Sequence, residues 1–495
     1  MPPESPRLGS AAGRWILLAT ILGSSVASLD ATVVNIALPR IGESLDTDVA
    51  GLQWTLNGYT LTLASFILLG GSLGDKLGRR KVFVWGAVGF GIASVLCGFA
   101  VNIEMLVAAR ILQGIAGALL TPGSLALISS SLDERDRGAA IGLWSGFGGV
   151  AGALGPFLGG WLIEVAGWQA VFFVNVPLVV IVVVVAMRHV PDSRDPGAPT
   201  RLDIPGALVV ALALGALTFG AIEVSWPLLG LGAALLAVFV AIEMRSDHPL
   251  VPPSLFAGTL SGAPGTGGRV FTVANLVTLA VYAALGGVFF LLVLELQLVA
   301  GYSPLLSGAA TVPITLIMLA LSAPAGRWAQ RHGPRLPLTF GPLLAATGLL
   351  LLLRIGPDSG YLVDVLPGVL VFGLGLAVLV APLTGAVLGA VPATEAGIAS
   401  GVNNAVARTA QLLAVAALPG LAGLSGALDD PDAFDAGFGT AMLICVGLLL
   451  VGSAVAVTLL RPPKRAPRLD EVDCLPQCGV AAPALAPRTE RTRAG

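Results

Sequence analysis

The sequence predicts an all-α integral membrane protein with fourteen transmembrane helices, arranged as two six-helix bundles with two extra central helices between them (6+2+6). The 495-residue chain is 55% hydrophobic and 11% charged, whereas soluble domains carry about 25% charged residues. Apolar runs of about 20 residues, long enough to cross a bilayer, recur along most of the chain. One loop pattern also occurs twice, at the same place in each six-helix block.

The apolar runs give the predicted helices. The first block comprises residues 15–38, 54–73, 82–100, 105–127, 139–162 and 168–187. The central pair comprises residues 204–222 and 228–242, which only a short turn at Pro227 separates. The second block comprises residues 271–297, 305–323, 336–353, 365–388, 398–421 and 437–460.

Lys and Arg residues predict the orientation, because cytoplasmic loops are enriched in them. With the N-terminus in the cytoplasm, most of the 27 basic residues lie on the cytoplasmic side. Only Arg40 and Arg354 then lie outside, and Arg110 and Arg408 lie within helices. An even number of spans in a cell membrane, with both termini on the cytoplasmic side, fits this asymmetry. The high Ala, Gly and Leu content suggests a bacterial protein.

These runs and loops divide the chain into six predicted parts. They are a cytoplasmic N-terminus (1–14), an N-terminal bundle (15–188), a link with the two extra helices (189–256), a flexible cytoplasmic linker (257–270), a C-terminal bundle (271–460) and a disordered cytoplasmic tail (461–495). Cys474 and Cys478 in the tail resemble no strong metal motif, so we predict no metal. The net charge of -2 gives no indication of nucleic-acid binding.

The repeated loop pattern follows the second helix of each block. Its first copy has the sequence GSLGDKLGRR and contains Gly71, Asp75, Gly78, Arg79 and Arg80; its second copy runs from Gly326 to Arg335. Parallel repeats related by an axis along the membrane normal are typical of transporters. The basic residues of the loop could serve only to anchor it on the cytoplasmic side of the membrane. The repeated spacing favours a second interpretation, a conformational latch.

Asp30 is an unusual residue for an apolar helix, because a carboxylate inside a bilayer is costly and commonly faces a cavity or a partner. Arg110 lies on the fourth helix at a depth that differs from that of Asp30 by only about 5 Å, at 1.5 Å per residue. We therefore expect the two side chains to meet across the bundle. The alternative is that Arg110 extends to the outer surface.

The fifth helix contains the glycine-rich sequence GGVAGALGPFLGG over residues 148–160. Its notable positions are Gly148, Gly152, Gly155, Pro156, Gly159 and Gly160. Small residues allow membrane helices to approach closely, and Pro156 permits bending. Close packing alone is the simpler explanation of this segment.

Together these segments resemble the fourteen-helix drug:proton antiporters of the major facilitator superfamily over residues 12–460. The stretch from Leu29 to Pro39 resembles their first-helix motif. Residues 71–81, 110–114 and 148–160 resemble motifs A, B and C, and motif C favours export. The resemblance implies two bundles that alternate between inward- and outward-open states. The resemblance also implies that Asp30 is the proton-coupling residue and that Arg110 is its electrostatic partner. It implies a role for Asp75 and Arg79 in gating between the bundles.

The chain departs from the family pattern at Gln330, which replaces an acid in the second loop copy, and at Glu295, where relatives often carry tyrosine. Glu295 is either a second proton-coupling group or a residue at the outer membrane interface, and we expect the interface. Residues expected to line a substrate cavity are polar or aromatic: Asn35, Trp54, Tyr59, Gln113, Trp144, Phe147, Phe289, Phe290, Asn404 and Arg408.

We therefore predict a proton-driven efflux antiporter in the bilayer that exports small amphipathic organic compounds such as drugs or natural-product antibiotics. It would need only the proton gradient and no cofactor, and a monomer would suffice. Alternatives are an exporter of an endogenous lipid or metabolite, an uptake symporter, and a non-transporting receptor or scaffold. No enzymatic constellation is present, since the GxSxG-like and GxGxxA-like sequences near residues 70 and 146 lie in apolar helices.

Overall fold

A computed structural model describes residues 6–194, 203–246, 249–257, 267–392, 395–424, 426–428 and 430–460. The described part of the chain is helical. The first helices are α1 (Ala11–Leu45), α2 (Val49–Leu77), α3 (Arg79–Gly98), α4 (Ile103–Ser131), α5 (Glu134–Ala166), α6 (Ala170–Phe173) and α7 (Asn175–His189). The others are α8 (Ile204–Ile222), α9 (Trp226–Glu243), α10 (Ser254–Ala257), α11 (Gly267–Leu298), α12 (Pro304–His332), α13 (Arg335–Leu352), α14 (Leu366–Gly389), α15 (Ala396–Leu421) and α16 (Pro431–Leu459).

Thirteen helical segments among the described residues are long and apolar enough to cross a membrane. In two of them a short helical piece extends the main helix: α6 joins α7, and a π-helical turn at Tyr361–Val365 joins α14. Helix α15 has 26 residues but is not among the thirteen. Its sequence includes Asn403, Asn404, Arg408 and Gln411, which lower its hydropathy.

Local sequence signals explain where several helices begin and end. Ser10, Asp48 and Asn102 cap α1, α2 and α4, because each side chain accepts a hydrogen bond from a backbone N–H of the first turn. The predicted sixth helix is interrupted at Val174. The reason is that Pro177 has no N–H to donate to the carbonyl four residues earlier.

The expected linker, residues 257–270, overlaps two helices at its ends. Residues 258–266 lie outside the described part of the chain, but α11 already begins at Gly267 and α10 ends at Ala257. The predicted tail after residue 460 and Cys474 and Cys478 also lie outside the described residues.

The packing of the first six long helices is repeated by the last six. Helix α1 packs against α5 and α7, α4 packs against α2 and α3, and α3 packs against α7. In the same way α11 packs against α15 and α16, α14 packs against α12 and α13, and α13 packs against α16. The duplicated loop in the sequence therefore corresponds to a duplicated arrangement of helices.

The contacts between the two sets of helices follow the same symmetry, because α5 packs against α12 and α2 packs against α15. Gln53 of α2 donates hydrogen bonds to the Val415 and Ala416 carbonyl oxygens of α15, at 2.7 and 2.9 Å. Gln297 of α11 donates to the Ile36 carbonyl of α1 at 3.1 Å. These bonds lie towards the predicted outer ends. Helices α8 and α9 pack together, and α8 covers the seam between α2 and α15.

The glycine-rich segment of α5 has two different surroundings. Near the predicted outer end, a Cβ at Gly155 would collide with the Thr32 hydroxyl of α1, and a Cβ at Gly159 would lie 3.0 Å from Val33. No atom of the described residues lies within 4 Å of such a Cβ at Gly148 or Gly152. Close packing thus explains the outer glycines, while the inner ones border open space.

We predict that Gly155→Ala destabilises the protein, since the added methyl group must push α5 away from α1. Overpacking of this kind costs about 1–3 kcal/mol. Thermal or denaturant unfolding in detergent measures the change. Gly142→Ala on the same helix is the matched control, because a Cβ there meets nothing within 4 Å. Equal stability of the two variants would contradict the proposed close contact.

Candidate functional site

A buried ion pair lies in the interior of the first six helices. Arg110 of α4 donates from Nη1 to Asp30 Oδ2 of α1 at 2.6 Å. The side chain of Asp30 is 0% exposed and that of Arg110 is 1% exposed. The structure thus brings together the two charged residues that the sequence placed at similar depth. Burial of this kind is sustained only when both charges are paired and hydrogen-bonded.

Neutral polar side chains complete the hydrogen bonding of Asp30. Its Oδ1 accepts from Gln113 Nε2 of α4 and from Asn175 Nδ2 of α7, both at 2.9 Å. The hydroxyl of Ser94 on α3 accepts from the same two amides, at 2.8 and 3.3 Å. Asp30 therefore lies in a network that joins four helices.

Arg110 is held by groups other than its carboxylate partner. Its Nε donates to the Thr55 carbonyl of α2 at 3.0 Å, and its Nη1 also donates to Gln113. The guanidinium carbon lies 4.5 Å from the ring centroid of Tyr59 and 5.9 Å from that of Phe172. Such positions over aromatic faces stabilise a cation. The guanidinium is therefore fixed in position.

Ser94, Thr55, Phe172 and Asn175 were missing from the predicted site. The available signal was weak, because Ser94 and Asn175 are single polar residues in apolar helices. Depth alone does not tell towards which neighbour such a residue points.

A cavity of about 380 Å³ lies beside the ion pair, between the two sets of helices. Its lining includes α1, α2 and α5 from one set and α11, α12 and α15 from the other. Predicted residues that line it are Asn35, Tyr59, Arg110, Gly148, Gly152, Pro156, Phe289 and Arg408. Lining residues that the sequence reasoning missed include Asn57, Thr60, Thr311 and Gln411.

Six predicted lining residues lie elsewhere. Gln113 belongs to the Asp30 network, and Trp54 packs against Phe219 of α8, with ring centroids 5.8 Å apart. Trp144 donates from its indole to the Ser24 hydroxyl at 2.8 Å. Phe290 is buried in the core, because it points about 100° away from its neighbour Phe289 on the helix. Phe147 and Asn404 are exposed and lie outside the cavity lining.

The first copy of the repeated loop is attached to its own set of helices. Arg79 Nε donates to Asp75 Oδ1 at 2.7 Å. The Arg79 N–H donates to the Ser193 carbonyl, and Arg80 donates to the Val190 carbonyl, in the segment after α7. Gly78 has a φ of 119°, a value that favours glycine. Gly71 lies against α4, where an added Cβ would be 3.7 Å from Pro122.

Glu295 is not exposed at the outer membrane interface, as expected, but fully buried near the end of α11. Neither of its carboxyl oxygens accepts a hydrogen bond from a donor group among the described residues. The carboxyl group of Asp435 on α16, which is partly buried, is close enough to share a hydrogen bond with it if one of the two carries a proton. Buried carboxyl groups are normally hydrogen-bonded, so a buried carboxyl whose only neighbour of this kind is another carboxyl needs a functional or structural reason.

The chain matches the family model described as Major Facilitator Superfamily over residues 20–415. It is 35% identical to the tetracenomycin C resistance and export protein of Streptomyces glaucescens, over 84% of this chain and 77% of that protein. It is 36% identical to a puromycin resistance protein of Streptomyces alboniger, over 82% and 81%. It is 34% identical to the methylenomycin A resistance protein of Streptomyces coelicolor, over 91% and 93%.

Solved structures share the fold at low sequence identity. A bacterial homologue of the human lysosomal transporter Spinster, crystallised inward-facing and unoccupied, has a TM-score of 0.65 at 17% identity, over 91% of this chain and 97% of that one. A D-xylose-proton symporter has a TM-score of 0.63 at 15% identity, over 91% and 98%. At these identities the similarity shows the fold alone.

We predict that Asn175→Ala destabilises the protein through the Asp30 network. The substitution removes one of the two amide donors to Asp30 Oδ1, and a hydrogen bond to a charged group contributes about 1.5–3 kcal/mol. Val180→Ala on the same helix is the control. Val180 is 55% exposed, so this substitution removes only methyl groups at the protein surface. The prediction is wrong if both variants unfold at the same temperature.

Proposed function

The chain belongs to the Major Facilitator Superfamily, and we propose that it exports small amphipathic organic compounds, drugs or natural-product antibiotics, in exchange for protons. The observation that carries the proposal is a buried carboxylate, Asp30, paired with Arg110 at the wall of a cavity shared by both sets of helices. The family match and the relatives named for antibiotic resistance support the export of such compounds.

We further propose fourteen membrane spans, with α15 added to the thirteen apolar segments. Two of its polar side chains, Arg408 and Gln411, need no contact with lipid, because they line the cavity. Two six-helix bundles, α1–α7 and α11–α16, would then flank the pair α8–α9. Both termini would lie in the cytoplasm, in a bacterial cell membrane. One chain encloses the cavity, so a monomer suffices.

In this orientation the cavity would open towards the cytoplasm. The outer ends are closed by hydrogen bonds such as Gln53 to α15 and by contact of Gly160 with Pro304 of α12. On the inner half of α5, no described atom lies within 4 Å of a Cβ at Gly142 or Gly146. The substrate would enter from the cytoplasm and bind between the bundles, near the midplane.

The proton would act on the ion pair. Neutralising Asp30 removes the charge that balances Arg110 and leaves a buried guanidinium unpaired, which is unfavourable. Protonation from the outer side would therefore favour a different arrangement of α1, α4 and α7 around Arg110. Substrate and proton would each stabilise a different state of the bundles, and alternation between these states would couple their movements.

We predict that Asp30→Asn abolishes coupling. The amide keeps the shape of the carboxylate but cannot take up and release a proton. In inverted vesicles, substrate accumulation driven by an imposed pH gradient should fall to the level of vesicles without the transporter, while Asp432→Asn, an exposed acid on α16, should behave as the wild type. Retained pH-driven accumulation by well-inserted Asp30→Asn protein would exclude this role.

We also propose that Glu295 binds a second proton. A fully buried carboxylate beside a second carboxyl group and without a described hydrogen-bond donor is costly, and a proton shared between the two groups would relieve this cost. Gln297, two residues after Glu295, contacts α1, and movement of α11 against α1 at this contact would change the surroundings of Glu295. Asp75 and Arg79 would restrain α2 and α3 during the same movement.

For Glu295 we predict that Glu295→Gln lowers the proton-to-substrate ratio but leaves export active. The ratio can be measured in proteoliposomes from the pH gradient that balances a known substrate gradient. An unchanged ratio would assign Glu295 a structural role. Asp364→Asn, at an exposed ion pair with Arg354, tests whether loss of any acid has the same effect.

A further inference from the structure

Arg408 is a charged group of the cavity, and no carboxylate among the described residues balances its charge. It lies near the middle of α15 and lines the cavity. The structure gives it one hydrogen bond, from Nη1 to Gln411 Oε1 on the same helix at 3.3 Å. Within the described ranges, no carboxylate lies within salt-bridge distance of it. Arg110, on the opposite wall, is by contrast neutralised by Asp30 at 2.6 Å.

The cavity as a whole is therefore positively charged. None of its described lining residues is acidic, and the charges of Asp30 and Arg110 cancel. A guanidinium offers five N–H donors in a planar arrangement that matches a carboxylate. Because Arg408 uses only one of these in the described structure, the others remain available to a ligand.

Other lining groups match an amphipathic ligand. Asn57 is 1% exposed, and its amide nitrogen has no hydrogen-bond partner in the described part of the protein. The Oδ1 atom of Asn35 is likewise without a partner. Phe289, Ile314 and Met318 supply an apolar wall. The volume of about 380 Å³ lies in the range of sites for small organic molecules.

We infer that the cavity has an anion subsite at Arg408 and takes amphipathic substrates that carry an acidic group, a carboxylate, phenolate or enolate, beside an apolar body. This inference rests on the proposed export function. At the same number of protons taken up, export of an anion moves one more positive charge into the cell in each cycle than export of a neutral compound. The membrane potential therefore drives export of the acid more strongly than export of a neutral compound.

The test compares anthracene-2-carboxylate with its neutral carboxamide, which has nearly the same shape. Their fluorescence reports binding to the full-length protein in nanodiscs, after subtraction of binding to empty discs. We expect the wild type to bind the acid about tenfold more tightly than the amide, since an added charge-assisted hydrogen bond corresponds to about one decade of affinity. Arg408→Gln should bind both compounds equally, and Arg408→Lys should keep part of the preference.

Arg354→Gln is the control for loss of a positive charge, because Arg354 is exposed and lies outside the cavity. Equal binding of the acid and the amide by the wild type would overturn the subsite. If a folded Arg408→Gln protein bound neither compound, the subsite would be overturned as well, because this result would indicate a structural role for Arg408.

The same pair of compounds separates this inference from the export function. If proteoliposomes transport both compounds equally when driven by protons, the export function is supported and the anion subsite is overturned. Selective binding of the acid without any proton-linked transport would support the subsite and overturn export.

Discussion

The ion pair between Asp30 and Arg110 is the interaction on which the arrangement of the first bundle depends. Two charges with almost no exposure are tolerated only when each is paired and hydrogen-bonded, and loss of one partner costs about 3–5 kcal/mol. Asp30 is on α1, Arg110 on α4, and the other contacts come from α2, α3, α6 and α7. These helices are thus held to one geometry by a single polar centre.

Among the described residues, no side chain of α5 forms a hydrogen bond in this centre. Helix α5 packs instead against α1 of its own bundle and against α12 of the other bundle. Its outer glycines fit closely against α1 and α12, and the hydrogen bond from the Leu305 N–H of α12 to Glu164 of α5 is exposed. Such an interface of small residues depends on van der Waals packing. It can separate or slide at less cost than a buried hydrogen-bonded network, which suits a surface that changes between states.

The sequence was sufficient for the helical class, for the repeat and for the meeting of Asp30 with Arg110, because each depends on periodicity and depth along a helix. It was insufficient for the direction in which a side chain points. Phe289 and Phe290 looked equivalent, but only Phe289 reaches the cavity. Asn175 was missed because its role requires α7 to bring it to Asp30. Rotation about a helix axis is set by tertiary packing, which a single sequence does not contain.

The two bundles share their packing but not their charges. In the first, Arg110 is balanced by a carboxylate. In the second, Asn403 of α15 bonds to Asn275 and Thr278 of α11, at 3.1 and 2.8 Å. Arg408 lies five residues further on, and no acid among the described residues forms an ion pair with it. A symmetric fold thus presents a neutralised cation on one wall of its cavity and an unbalanced one on the other. In our proposal the proton acts on the first wall and the substrate on the second. Because the two ligands then occupy different groups, their exchange depends on which state of the bundles each one stabilises, and not on competition for one carboxylate.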